Sequence, residues 1–583
     1  MAKLTLRSTP LENPFGRPVR PLSNLATRPQ SLKGKRLLLL DNGQVDAEKA
    51  AYGAFLDGLE DVLRSTYGAK PVRLSHNLLR ENLASLDMMV PVVKKFKPQA
   101  VVIALCHGGV TAPSIMLAVR LEQVGIPTVL VCTPLGIKLG AVSAQSYAPG
   151  LPLVLARPSR TAGQGSSDSS TQSLARDVVW ALTASARRLT QHGRRVLTEH
   201  AGAALPTRLP RVTSRQESRR LPRAVTATVD ASELDETLYT FCCEHFVGDG
   251  LPLFAPTRRR VAAMLDCTDW PPDEVLIEEC PPSGSAFTVR AVAANAVMAG
   301  CKPEYFPIIL TAIQAMAAPT FRLFQAAITT HPSGNLVLVS GPLAKELGIQ
   351  SNAGCVGPGF RANATIGRAV NLATLNIARS LPGLSSLCTF GSPAQYTFCF
   401  AENIEDSPWP SLHAERYGPQ TTCVTVHKCE APHNAIDNAG KSAEGILDVI
   451  ASKAATIGGS NATNPSELVV LLTPANARLL AAAGYSKKDV QRYLFDRARN
   501  SAVALAKSPR KQWPAWFHHL DAVPVVRRAE DIYVVVCGGM GPHSMVCVPW
   551  GFSRAVTRPV VTKQGEPVRT IGKGKEESRR RRV

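Results

Sequence analysis

Ala100-Val-Val-Ile-Ala-Leu-Cys-His-Gly-Gly-Val-Thr-Ala-Pro113 is the stretch that decides the fold. Six apolar residues in a row are too few for a buried helix and suit a strand covered on both faces. Gly108 and Gly109 end that strand, and Pro113 opens a helix over residues 113–124. A second strand follows at once, Pro127-Thr-Val-Leu-Val-Cys132. Upstream, Arg36-Leu-Leu-Leu-Leu-Asp41 reads as a further strand closed by Asn42-Gly43, with amphipathic helical spacing over 47–64 and 85–96. Alternating strands and helices predict a parallel, doubly wound α/β domain over residues 35–157.

A chain of 583 residues exceeds what one hydrophobic core serves, so a second domain is expected. Residues 224–560 carry Ala-rich helical runs at 288–299, 306–316 and 361–378. Short β-rich runs stand at 336–339, 422–426, 468–472 and 532–537, giving a larger α/β or α+β domain. Between the two, residues 158–223 read as a basic linker. It holds one helix, 174–192, between a Ser/Gly-rich flank at 163–173 and an Arg/Pro-rich flank at 206–223 that bury little.

The net charge of +21 is concentrated. Residues 1–36 hold eight Lys/Arg and one acid, 207–223 six Arg and one acid, and 563–583 eight Lys/Arg and three acids, leaving about +4 for the bulk. Such a distribution argues against a nucleic-acid-binding face on a folded domain, except through basic tails at 1–34 and 561–583. The Arg579-Arg-Arg-Arg582 run reads as a solvated tail, with a nuclear signal or RNA contact as the alternative. The acid-poor N-terminus has the composition of a disordered tail or of an organelle import peptide, so a cytoplasmic location is expected with mitochondrial or other import as the alternative. No apolar run approaches the roughly 18–20 residues that cross a bilayer, so no membrane partner is expected. The 14 cysteines are scattered without a CxxC pair and read as reduced thiols.

At the end of a strand in an open parallel sheet lies the ligand crevice, and a Gly-rich turn into a helix N-terminus favours an anion there. This makes Gly108, Gly109 and Thr111 candidate ligand-binding residues, with the strand ends Asp41-Asn42-Gly43 and Cys132-Thr133-Pro134 as neighbouring polar tips. Over 101–134 the chain resembles the UGSC-motif family, a racemase-like α/β domain whose members carry selenocysteine or cysteine before Gly-Ser-Cys. Asp249-Gly-Leu-Pro252, Asn295-Ala-Val-Met-Ala-Gly-Cys-Lys-Pro-Glu-Tyr-Phe306, Gly357-Pro-Gly-Phe-Arg-Ala-Asn-Ala-Thr-Ile-Gly367, Thr397-Phe-Cys-Phe-Ala-Glu-Asn403 and Cys537-Gly-Gly-Met-Gly-Pro-His-Ser544 resemble the long form of that family. Aligned through Thr111, the motif's selenocysteine or cysteine position falls on His107 and its later cysteine on Val110. His107 has then taken over as base or acid, or the domain has lost redox chemistry, or a register shift restores Cys106. The racemase-like resemblance implies acid/base work beside a carboxylate, with Cys106 or His107 on one side and Cys132 on the other.

In the second domain, Cys301 follows a helix and precedes Lys302-Pro303, so a nucleophile there needs a partner such as His331 or His413. Gly354-Cys-Val-Gly357-Pro-Gly359-Phe-Arg361-Ala-Asn363-Ala-Thr365 opens a helix and offers Gly357, Gly359, Arg361, Asn363 and Thr365 to a carboxylate or phosphate. Glu402 stands in an acidic run followed by His413, and Gly538, Gly539 and His543 repeat the strand-to-glycine pattern. No Walker loop, dinucleotide fingerprint or zinc signature occurs, so neither cofactor nor metal is expected. These features point to an enzyme on a small, anionic metabolite working by acid/base or thiol chemistry, with the working site expected in the larger domain around Arg361, Asn363, Glu402 and His543 and the first domain a diverged partner. The alternative is a non-catalytic ligand-binding or regulatory protein; a homo-oligomer suits either.

Overall fold

The computed structural model describes residues 11–42, 46–78, 81–156, 169–202, 205–209, 211–212, 226–227, 234–437, 442–506 and 513–571. The chain's outer tails, the Arg579–Arg582 run and most of the Arg/Pro-rich flank lie outside these residues.

The first sheet follows from the three strands read above. Strands β1 (Arg36–Asp41), β2 (Lys70–Ser75), β3 (Ala100–Cys106), β4 (Thr128–Cys132) and β5 (Leu153–Leu155) are ordered β2-β1-β3-β4-β5, each pair parallel. Helices α1 (Asp46–Ser65), α2 (Leu83–Lys95), α3 (Thr111–Gln123) and α4 (Pro134–Tyr147) connect them. The two-residue side-chain period splits the strands between two cores. Leu38, Leu40, Val101, Ile103 and Leu130 pack with α2, α3 and α4, while Leu37, Leu39, Val102, Val129 and Val131 pack with Leu59 and Leu63 of α1. Both faces are covered, and this is why the strands read as unbroken apolar runs.

Two boundaries move. The expected single helix of the linker is two, α5 (Ser169–Thr183) and α6 (Ala186–Ala201). Leu174, Val178 and Leu182 of α5 complete the α1 side of the first sheet, and Val196 of α6 joins the opposite core, so the domain runs through about residue 201. Burial decides this, since α5 covers apolar strand surface that a linker would leave wet. The segment 11–34, read as part of a disordered tail, is a packed strap. Leu11 bridges Thr257, Arg17 bridges Ala286, and Phe15 is 4% exposed. Further on, Arg28 makes a two-pronged ion pair with Glu122 (2.6 and 2.8 Å), and Glu122 also accepts from Ala26 N and Thr128 N. At the other end, residues 561–571 are also placed on the fold, Val568 N bonding Val560 O and Lys563 Nζ reaching Glu274 Oε2 at 2.7 Å.

The larger region is a four-layer α/β/β/α stack. One sheet, ordered β7-β6-β8-β13, is built from β6 (Gly334–Ser340), β7 (Cys399–Ala401), β8 (Cys423–Cys429) and β13 (Val556–Pro559). The other, ordered β9-β12-β10-β11, is built from β9 (His433–Ile436), β10 (Leu468–Leu472), β11 (Ile532–Val536) and β12 (His543–Cys547). Leu336, Leu338 and Phe400 of the first face Val469, Leu471 and Val535 of the second in one shared core. The alternate residues Val337, Val339, Val424 and Val426 pack on helices α7 (Val289–Met298), α8 (Phe306–Met316) and α9 (Arg361–Asn376). Leu468, Val470, Leu472 and Val534 pack on α10 (Ala443–Ala454), α11 (Pro474–Ala482) and α12 (Lys487–Arg497). Each such buried aliphatic side chain contributes about 1.5–3 kcal/mol, so the stack is held chiefly by these layers.

Among the described residues no single helix is long and apolar enough to cross a membrane. The bent pair Pro303–Met316 and Pro319–Ala326 reaches that length and composition only together, and α8 lies in the core.

Candidate functional site

In the order β2-β1-β3-β4-β5 the connections leave β1 and β3 in opposite directions, and a crevice opens between their carboxyl ends. His107 follows β3 there, and its Nδ1 lies 2.8 Å from Oγ1 of Thr133, the residue that caps α4. Gly108 has φ +54°, a left-handed turn that suits glycine and folds the chain through a short 3-10 turn, Gly108–Val110, into α3. Asn42, at the end of β1, donates to Leu105 O and Ser114 Oγ at 3.2 Å each. Two oxygens here are buried without a hydrogen-bond partner, Asn42 Oδ1 and Thr111 Oγ1. An unmet buried acceptor or hydroxyl costs about 1–3 kcal/mol. From the larger region, Ile328 and Leu387 pack on Ala112 and Leu139 beside this crevice.

Gly136, in the first turn of α4, is what lets α4 approach β3. A Cβ there would stand 2.0 Å from the carbonyl oxygen of Cys106 and 2.9 Å from Thr111 Oγ1. Gly136→Ala is therefore expected to destabilise the first domain by about 3 kcal/mol, because the obstacle is backbone rather than a flexible side-chain end. Thermal unfolding measures this, and a variant as stable as the parent would show that β3 and α4 separate without strain.

Cys106 and Cys132 are adjacent partners in the β3–β4 register, both fully buried. The Cys106 hydrogen bond, then burial, pushes the Cys132 thiol well up. Parallel neighbours in register put their side chains on one face, so these thiols meet each other in the core instead of flanking a substrate beside His107.

The residues expected at the second site divide among separate tasks. Arg361 donates to Gly300 O at 3.2 and 2.9 Å, pinning the turn that leaves α7. Asn363 clamps Gln350 through its backbone N–H and C=O and holds Cys355 O at 2.9 Å. Thr365 Oγ1 turns back to Arg361 O, while Thr365 O accepts from Cys301 Sγ at 3.1 Å. Burial pushes the Cys301 thiol up to about 12. The suggested partners of Cys301 are engaged elsewhere, His331 with Glu430 and Ser460, His413 with Ser340 and Ser411. Gly357 and Gly359 lie on an exposed turn.

Glu402 is different. It follows β7 at 3% exposure, accepts from Ser340 Oγ at 2.5 Å and Leu412 N at 2.9 Å, and has Lys487 Nζ at 3.8 Å. Burial raises its carboxyl above the usual range, and burial likewise lowers His413, which shares Ser340 with it. Gly538 and Gly539 close over the Ser351–Gly354 loop, with Gly538 N bonding Ser351 O at 2.8 Å. His543 is exposed and pairs with Asn434 Oδ1 at 2.9 Å. His107 thus belongs to the first sheet's crevice, and Glu402 and the glycine loops to the carboxyl rim of the stacked sheets.

Lys428 was not singled out by sequence. It is 7% exposed on β8, donates to Asn335 Oδ1 at 3.2 Å, and burial lowers it to about 8. Its signal was a histidine and a lysine side by side in a strand otherwise apolar, Val424-Thr-Val-His-Lys-Cys429.

Among the described residues no group of three or more His, Cys, Asp or Glu is arranged to hold a metal ion. No curated protein matches the chain. The match that does exist is to a family model described as UGSC family, from residue 11 in the strap to residue 184 just past α5. It spans the parallel sheet, the crevice at His107 and the helix that moved the domain boundary, and over those residues the chain is similar to the UGSC family.

Proposed function

We propose that this chain is an enzyme acting on a small, anionic metabolite by proton transfer, with its working site in the crevice of the UGSC domain and His107 as the acid/base group. One juxtaposition carries the reading: an imidazole oriented by Thr133 beside two buried, unpartnered oxygens, Thr111 Oγ1 and Asn42 Oδ1. The N-termini of α3 and α4 begin at this rim, and the positive ends of their dipoles favour a carboxylate.

Thr133 Oγ1 donates to Cys106 O and so accepts from His107 Nδ1–H. This assigns the basic lone pair of His107 to Nε2. Nε2 takes a proton from the carbon next to the substrate carboxylate, and the Thr111 hydroxyl donates to that carboxylate. In this reading His107 works where the family motif carries selenocysteine or cysteine, by proton transfer rather than thiol redox. The racemase-like fold belongs to the same proposal, supported by the all-parallel sheet and its switch-point crevice.

The test is exchange of the C2 proton with solvent deuterium, followed by NMR over a panel of 2-hydroxy and 2-amino carboxylates. His107→Gln is expected to slow exchange by about 10²–10⁴-fold, the usual share of a positioned general base, while ligand-induced thermal stabilisation persists. Unchanged exchange in His107→Gln would sink the assignment. Saturable stabilisation of the parent protein with no exchange or turnover favours the ligand-binding, regulatory alternative.

A further inference from the structure

We propose that Cys355 and Cys537 form a reactive dithiol that reduces a hydroperoxide and closes to a disulfide. The two cysteines are far apart in sequence but sit on the two glycine-rich loops that meet at the carboxyl rim of the stacked sheets. Cys537 follows β11, with its N–H on Leu472 O, and the next residue, Gly538, bonds Ser351 O. Gly539 and Ala353 are so close that a Cβ on Gly539 would stand 2.7 Å from the Ala353 Cβ. Both sulfurs lie in the shared core between the sheets, Cys355 at 3% and Cys537 at 4% exposure.

The two thiols hydrogen-bond to each other, and the pair is asymmetric. The Cys537 thiol donates to Cys355 and, with the backbone amide of Val356, holds it below its usual range against burial, while the N–H groups of Gly538 and Cys355 are bonded to Ser351 O and Asn352 O. Cys537 is pushed up by the same bond and by burial. A donor thiol and an amide beside one sulfur stabilise its thiolate, the form that attacks peroxide. Cys106 and Cys132 provide an internal contrast. They too touch, but on neighbouring strands of the first domain's sheet, where both are 0% exposed. Over Cys355 and Cys537 the cover is thin: Asn352, Ala353, Gly354 and Gly357 are exposed, and Met540 at the tip of the second loop is 93% exposed.

The chemistry balances without a metal or cofactor. The Cys355 thiolate attacks the peroxide's outer oxygen and the O–O bond breaks, giving a sulfenic acid and, from hydrogen peroxide, hydroxide, which takes a proton from solvent. The Cys537 sulfur then attacks the Cys355 sulfur. The S–O bond breaks, and the departing hydroxide leaves as water with the Cys537 proton. Overall, two thiols and one hydrogen peroxide give one disulfide and two waters.

The experiment uses the full chain, reduced and then treated with one equivalent of hydrogen peroxide before denaturation, alkylation and tryptic mass mapping. The expected product joins the peptide containing Cys355 to the one containing Cys537 and is two hydrogens lighter than the sum of the two. Before peroxide, Cys355 in the native protein is expected to alkylate at least about tenfold faster than Cys106 or Cys132 at neutral pH. Cys537→Ser should leave a sulfenic acid at Cys355 that dimedone captures, and Cys355→Ser should give neither product. If the parent protein keeps both thiols free, or links Cys106 to Cys132 as readily, the proposal is overturned regardless of how the variants fold.

Discussion

Raising the pH from about 8 to about 10 is expected to unfold the chain cooperatively. Nine described cysteines, Cys132, Cys242, Cys280, Cys301, Cys399, Cys423, Cys429, Cys537 and Cys547, are held above the ordinary thiol value of 9, in most cases chiefly by burial. A thiol whose folded value is raised keeps its proton in the native state and loses it in the unfolded chain. Its contribution is fully present below pH 9 and drains away above it. Each loses about 1.4 kcal/mol in the first pH unit, so together the loss by pH 10 is on the order of 10 kcal/mol, comparable to the whole stability of an ordinary domain. Lys428 works in the opposite sense. Lowered to about 8, it makes the native state less unfavourable as pH rises towards 10.5, worth about 3 kcal/mol, which is too little to offset the thiols. Far-UV circular dichroism against pH, under reductant and at constant ionic strength, measures the outcome. A chain still folded at about pH 11 would contradict it.

Removing Arg28 is the second large effect. The side chains of Arg28 and Glu122 are 5% and 0% exposed. Arg28→Ala leaves a buried carboxylate without its counter-charge, a change that typically costs about 3–5 kcal/mol. The loss is expected in the β3–β4 core, because Glu122 also holds Thr128 N at the start of β4, at 2.6 Å. Hydrogen exchange of the β3 and β4 amides reads this local stability. The double variant Arg28→Ala/Glu122→Gln should cost less than the sum of its parts, since it leaves no orphaned charge. Additive losses would mean that the pair does not interact.

Strands buried on both faces, such as β1, β3, β4 and β10, are legible as apolar runs, and α8 is read to the residue because its apolar stretch is unbroken. Edges and interfaces are not. β2 carries Lys70, Arg73 and Ser75, as befits an edge, and β5 has three residues, so neither leaves a pattern. α4 is buried on most sides and packs through Gly136 and Gly140, so it lacks an amphipathic period. The strap at 11–34 has the composition of a tail, and what fixes it is pairing with residues hundreds of positions away. For the site, the strand-end rule reaches Asn42, His107 and Thr133. It misassigns Cys106 and Cys132, since a run of apolar residues does not disclose which face a thiol takes. The meeting of Cys355 with Cys537 depends on how two sheets stack, and nothing local encodes that.

The strap also dictates an order of events during synthesis. Residues 11–28 emerge before the sheet they strap, and the Arg28–Glu122 pair and the β3–β4 core are complete once the UGSC segment is out, yet Thr257 and Ala286, the partners of Leu11 and Arg17, arrive only much later. A ribosome-bound chain therefore carries a finished first domain trailing a loose leader, and the larger region captures that leader as it forms. Joining the halves is a closure event with its own loop entropy, set by the long separation in sequence between Leu11 and Thr257 and between Arg17 and Ala286.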